Sequence, residues 1–153
     1  MKIYHEKQIG NYCRCHAINN LVGKQLITLH EFNSYCDKFD ALNNFDKGSS
    51  RNKHYFYNNG GTNNIFGYCL QKKGIFTNMT HYDISKSTRI DTKFFNKAYG
   101  CILYNRRHTY CMRKIQNDYY IIDSMRRTPQ KIKNLSILQR KGMGVIMVTP
   151  LNK

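Results

Sequence analysis

The apolar pattern changes period at Gly74, and that change narrows the available folds more than any other feature of the 153-residue chain. Before Gly74, apolar residues recur at helical spacing. Beyond it they fall into short aromatic and β-branched runs separated by polar or Gly/Pro breaks. From Cys13 to Val22, the residues Ala17, Ile18, Leu21 and Val22 form one stripe and Gly23 follows as a helix terminator. Thr28 and Glu31 have capping-box spacing and open a second helix with Leu29, Phe32, Tyr35, Cys36 and Phe39 on one face. Thr62 is the expected cap of a third, whose stripe is Ile65, Phe66, Cys69 and Leu70. Residues 75–80, 101–105, 109–115, 119–122 and 144–148 read as strands, with a short helix expected over 135–140. Helices followed by strands imply an α+β fold, a helical layer packed on a mostly antiparallel sheet. No internal repeat is visible, and the length suits one domain spanning 1–153.

The charge is unusual for such a chain. Twenty-five Lys and Arg against nine Asp and Glu give +16, yet 41% hydrophobic and 13% aromatic content excludes a disordered basic tail. Ten basic and five acidic residues precede position 77, against fifteen and four after it, so the positive field is concentrated in the second half. Arg126, Arg127, Lys131, Lys133, Arg140 and Lys141 form its densest cluster. A field of this kind predicts a secondary anionic partner, nucleic acid, a membrane surface or an acidic protein, although the Lys/Asn richness also fits the coding bias of a virus or an AT-rich microbe.

Charges interrupt the N-terminal MKIYHEKQ, where a signal peptide needs an apolar stretch, and no apolar run is long enough to span a bilayer. The six cysteines are therefore expected as thiols in a reducing compartment, cytoplasmic or nuclear, and in a host cell if the source is viral. Cys13, Cys15 and His16 lie close together, but nothing completes a tetrahedral set at zinc-site spacing, so no metal is expected.

Cys13 falls in the first turn of its helix, where unpaired N–H groups and the dipole favour thiolate over thiol. His108 opens one expected strand and Asp123 closes the next, fifteen residues on. A hairpin centred between Ile115 and Gln116 would bring them together, and an acid beside an imidazole fixes its tautomer and stabilises the imidazolium. Gln8, five residues before Cys13, could donate to an oxyanion together with the Cys13 N–H. His16 follows Cys13 by three residues and reads as a packed histidine rather than a competing base. His5, His30, His54 and His81 show no partner pattern, and Arg106-Arg107 reads as a solvated pair.

These residues resemble the Josephin family of ubiquitin-specific cysteine proteases. Its opening pattern, HEKQ, then Cys, then HALNN, is matched by His5-Glu6-Lys7-Gln8, Cys13 and His16-Ala17-Ile18-Asn19-Asn20 with spacing intact. Its second block is matched by His108, Asp123 and Ser124, and the Asp version is more similar to the short Josephin proteins than to the Machado-Joseph disease protein. The resemblance implies a papain-like α+β Josephin fold and a deubiquitinase acting after the Gly-Gly end of ubiquitin, alone or in polyubiquitin chains. In that reaction Cys13 would be the nucleophile, His108 the general acid and base, Asp123 the orienting residue and Gln8 the oxyanion donor. The chain departs from the family at Thr109, where the family carries Trp, and has few carboxylates to meet the Arg-rich tail of ubiquitin. Two alternatives stand beside this expectation: a basic nucleic-acid-binding module without activity, and a papain-like peptidase for another Gly-Gly tail such as a ubiquitin-like modifier.

Overall fold

The computed structural model describes residues 2–51, 60–83, 98–105, 107–133 and 144–151. Three helices come first, α1 (Cys13–Val22), α2 (Leu29–Leu42) and, after a 3-10 turn over Gly60–Asn64, α3 (Ile65–Lys72). Six strands follow: β1 (Thr77–Asp83), β2 (Gly100–Tyr104), β3 (Thr109–Ile115), β4 (Asp118–Ile122), β5 (Gln130–Ile132) and β6 (Gly144–Pro150). They form one sheet in the order β1-β6-β2-β3-β4-β5, antiparallel at every pairing. The fold is thus α+β.

Helix α1 lies across β3 and reaches β2 and β4, while α3 packs on β1 and α2 on α3. Ile18 and Leu21 join Phe32, Phe66, Leu70, Ile102, Cys111, Ile122, Ile146 and Val148 in one buried cluster. The intervening strand residues, Cys101, Leu103, Met112, Val145 and Met147, build a second buried cluster. Both faces of β2 and β6 are therefore apolar, which explains their continuous apolar runs in place of strict alternation. Gly100 (φ 151°) allows the tight approach of β2 to β3, because a Cβ there would come within 2.2 Å of the Met112 carbonyl oxygen.

Both early helices end and begin as their residues dictate. Gly23 (φ 83°) closes α1 with its N–H on the Asn19 carbonyl, and Thr28 and Glu31 form the full capping box of α2. Thr62 is not the cap of α3. The Gly60-Gly61 pair admits a 3-10 turn that buries Thr62, and the helix starts after Asn64, whose own dihedrals are already helical. The first strand begins at Thr77 rather than 75, since the Ile75 N–H is bonded to the Leu70 carbonyl and belongs to the end of α3. Strand β5 has too short an apolar signature for its sequence to announce it; backbone pairing with β4 creates it. The helix expected over 135–140 lies outside the described residues.

One polar side chain sets the α1–α2 connection. Asn19, 1% exposed, accepts from the N–H groups of Leu26 and Ile27 (3.0 Å each) and donates to the Ile27 carbonyl (2.9 Å). Truncation would leave three backbone groups without their partner in a dry site. Asn19→Ala is expected to lower the unfolding free energy by about 2–4 kcal/mol, measured as a drop in urea midpoint at unchanged slope. A change below about 0.5 kcal/mol would mean that the loop satisfies itself another way.

Candidate active site

Cys13 is the first residue of α1 and 1% exposed. Tyr12, at the N-cap, makes no side-chain cap; its hydroxyl instead accepts from Asn33 of α2 (2.8 Å), and its ring packs edge-on against Phe32. The helix start and its positive dipole end are thereby left to the thiol. The next residue, Arg14, is fully buried and donates to the Ser50 carbonyl. Ser50 is held in turn by Asp40, whose carboxylate accepts from the N–H groups of Gly48 (3.1 Å) and Ser50 (3.0 Å). Residues 47–51 therefore form a tied turn. Burial lowers Arg14 to about 10, against the opposing pull of Cys13, Cys36 and Asp40, so it remains a cation at neutral pH beside the thiol. A fixed positive charge there favours the thiolate.

Asn105 places His108. Its side-chain oxygen accepts from the N–H groups of Arg107 (2.8 Å) and His108 (3.0 Å), and its own N–H donates to the His108 carbonyl (3.1 Å), closing the β2–β3 turn. The β3–β4 hairpin then turns between Gln116 and Asn117, one residue later than expected, with Ile115 paired to Asp118 and Gln116 at φ 57°. His108 and Asp123 consequently meet diagonally across the hairpin rather than face to face. His108 Nε2 donates to Asp123 Oδ1 at 2.5 Å, and the same oxygen accepts from the Met125 N–H at 2.9 Å. The imidazole stacks on Tyr110 (centroids 5.6 Å, 22° between planes), which supplies an aromatic wall next to Thr109.

The thiol of Cys13 acts on His108 and favours its imidazolium. With Nε2 on Asp123, the buried Nδ1 is the ring nitrogen that holds no hydrogen bond among the described residues and is left to serve the thiol. Burial by itself would lower the His108 pKa, but the hydrogen bond to Asp123 and the pull of Asp123 and Cys13 outweigh it and hold the imidazolium to about 9. Asp123 goes the other way: burial raises it, yet His108, the Met125 N–H and Arg126 keep it below the ordinary carboxylate value. The arrangement can thus store a thiolate–imidazolium pair braced by a carboxylate. The other five cysteines are buried thiols whose pKa burial raises, Cys36 to about 12, and Cys15 faces the core near the Ile27 carbonyl. Among the described residues no group of three or more His, Cys, Asp or Glu is arranged to hold a metal ion.

Gln8 is brought to the same place by the loop after β4. Its N–H donates to the Ser124 carbonyl (2.7 Å), its Oε1 accepts from the Ser124 hydroxyl, and its Nε2 donates to the Gly10 carbonyl (2.6 Å). The amide carries two N–H bonds, so one remains for a ligand while Gly10 holds the other. His5 adds a second stitch with Nε2 on the Asp123 carbonyl (2.7 Å). Four residues expected at the site, Gln8, Cys13, His108 and Asp123, therefore converge.

Sequence reasoning read His16 as a packed histidine, which its burial bears out, and assigned no role to Glu6, Asn19 or Asn20. His16 Nδ1 donates to Glu6 Oε1 (2.9 Å), while its Nε2 accepts from the Ile9 N–H (3.1 Å), an arrangement that specifies one neutral tautomer with both nitrogens engaged. Asn19 also donates to Glu6 Oε1 (3.1 Å), Tyr4 to Glu6 Oε2, and Asn20 accepts from the Glu6 N–H (2.7 Å). These donors overcome the burial of Glu6 and keep its pKa below normal. The spacing of His5-Glu6-Lys7-Gln8 from His16-Ala17-Ile18-Asn19-Asn20 is the only sequence signal of this clamp. Of the arginine pair, Arg107 is exposed and Arg106 lies outside the described residues, as does His54.

Two outcomes are expected. Because the folded His108 pKa is raised from 6.5, its contribution to stability is complete below about pH 6.5 and disappears as pH rises through about 9. In Asp123→Asn the His108 titration, followed by NMR of the ring protons, should move from about 9 toward 6.5; an unmoved titration would exclude Asp123 as the cause. Arg14→Met should slow iodoacetamide alkylation of Cys13 at neutral pH by about tenfold, with Arg14→Lys retaining most of the rate. Equal rates in both would show that the guanidinium acts only in packing.

The sequence matches the Josephin family model over residues 8–141, a span that includes Gln8, Cys13, His108 and Asp123. No curated protein matches it. With an α+β fold that agrees with the papain-like architecture of that family and a match over most of its length, the chain belongs to the Josephin family, whose members are cysteine proteases of the ubiquitin system.

Proposed function

We propose that the protein is a cysteine-type deubiquitinase that hydrolyses isopeptide or peptide bonds after the C-terminal Gly-Gly of ubiquitin. The observation that carries the reading is the Cys13–His108–Asp123 chain, with the imidazolium held to about 9 at the start of α1 in a Josephin-family protein. In this scheme Cys13 Sγ attacks the glycine carbonyl carbon, and the oxyanion is met by the Cys13 N–H and the second N–H of Gln8. His108 gives its proton to the departing amine as the thioester forms. It then takes a proton from water, whose attack on the thioester releases the carboxylate and restores the thiolate. Asp123 holds Nε2 throughout and does not itself take the proton.

Ubiquitin or polyubiquitin is the partner this reading requires. All six cysteines are thiols, which supports a reducing compartment, cytoplasmic or nuclear. The basic second half supports a secondary anionic partner, with nucleic acid or a membrane surface as the candidates.

A ubiquitin probe carrying an electrophile at its C-terminus should label the wild type and leave Cys13→Ala unmodified, read as an intact-mass shift. No labelling across a range of enzyme concentrations would remove ubiquitin as substrate. Labelling by a ubiquitin-like modifier probe in its place would favour a peptidase for another Gly-Gly tail.

A further inference from the structure

Two shallow grooves meet beside the candidate active site, and the segment Met125-Arg126-Arg127 is common to both. One, of about 320 Å³, is lined by Lys7, Gln8, Ser124 and that segment. The other, of about 490 Å³, runs from the same segment past Asp123 to Thr128 and Gln130. Met125 is 67% exposed, so an apolar side chain stands between the two, and Lys7, Arg126 and Arg127 are exposed around it.

The one lining carboxylate, Asp123, pairs with Arg126 and leaves Lys7 and Arg127 unbalanced. Asp123 is committed to His108, and Arg126 Nε stands 4.0 Å from Asp123 Oδ2. Lys7 and Arg127 make no ion pair among the described residues. The other acids with described side-chain partners are also spent: Glu6 on His16 and Asn19, Glu31 on Lys73, Asp37 on Arg51, Asp40 on backbone N–H groups and Asp118 on Lys131. With Lys7 and Arg127 exposed and outside the described ion pairs, the groove carries a net positive charge.

We infer that this groove receives an acidic segment of the substrate on the leaving-group side of the scissile bond. The side assignment rests on the deubiquitinase reading. The tail of ubiquitin on the acyl side is rich in Arg, and like charges disfavour its passage over Lys7, Arg126 and Arg127. The groove then falls to the chain attached beyond the glycine, and carboxylates there would pair with exposed cations while their stems cover Met125.

The test uses ubiquitin fused to short leaving segments rich in Glu, Ser or Lys, with kcat/KM compared at low ionic strength. The wild type should prefer the Glu segment over the Lys segment by about tenfold, the size expected of two or three exposed charge pairs. The preference should shrink with added salt and reverse in Lys7→Glu/Arg127→Glu. Equal rates on all three segments, or a preference that survives the charge reversal, would overturn the inference. A second measurement is independent of ubiquitin: fluorescence anisotropy of a labelled oligoglutamate with Cys13→Ala protein. If every fusion stays uncleaved, the deubiquitinase reading fails while the groove is still judged. Weaker peptide binding in Lys7→Glu/Arg127→Glu upholds it, and equal binding rejects it. Displacement of the peptide by a single-stranded oligonucleotide of matched charge, at lower concentration than by unlabelled peptide, would also reject it in favour of a nucleic-acid surface. Thermal unfolding of the variants checks that these exposed substitutions leave the fold intact.

Discussion

The docking of α1 is the constraint on which the rest of the molecule depends. Its apolar side is pressed onto β3 and its polar side is gripped by Glu6 through His16 and Asn19, so that every residue from Cys13 to Leu21 is buried. A helix held on both sides cannot rotate or slide without stranding buried polar groups, each costing about 1–3 kcal/mol. That rigidity fixes the thiol of Cys13 relative to His108, whose position comes from the Asn105 turn at the far edge of the same contact. The Josephin opening motif is, physically, the two halves of this clamp.

Charge is handled by pairing at close range. Asp123 faces His108, Arg14 lies beside Cys13, and backbone N–H groups fill the valences of Asp40 and part of those of Asp123. Among the described residues, Glu6, Asp40 and Asp123 each meet an opposite charge or a set of hydrogen-bond donors, which is the condition for keeping them charged out of water. These three carboxylates are taken up by such internal duties, while Lys7, Arg126 and Arg127 stand exposed. The site chemistry rests on Cys13, His108, Asp123 and the buried Arg14 rather than on those surface cations.

Much of the fold was legible in the sequence. The bounds of α1, the capping box of α2 and the span of β3 follow from periodicity and from Gly23, Thr28 and Glu31, because these depend on groups within a few residues. The start of α3 and the three-residue β5 did not follow. Thr62 has the right chemistry for a cap, but the glycines before it allow a tighter turn, and β5 exists only through hydrogen bonds to β4. Local rules cannot see either competition.

The candidate site divides along the same line. The sequence alone determined which residue types could do the chemistry, Cys13 at a helix start, His108 and Asp123 around a hairpin and Gln8 upstream, since helix dipoles and hairpin pairing act locally. Only the tertiary structure decided that His16 is locked in a neutral tautomer between Glu6 and Ile9, that Gln8 is held by Ser124, and that Arg14 stands buried beside the thiol. These are contacts between segments far apart in the chain. Their strength comes from exclusion of water, which no local pattern of residues records.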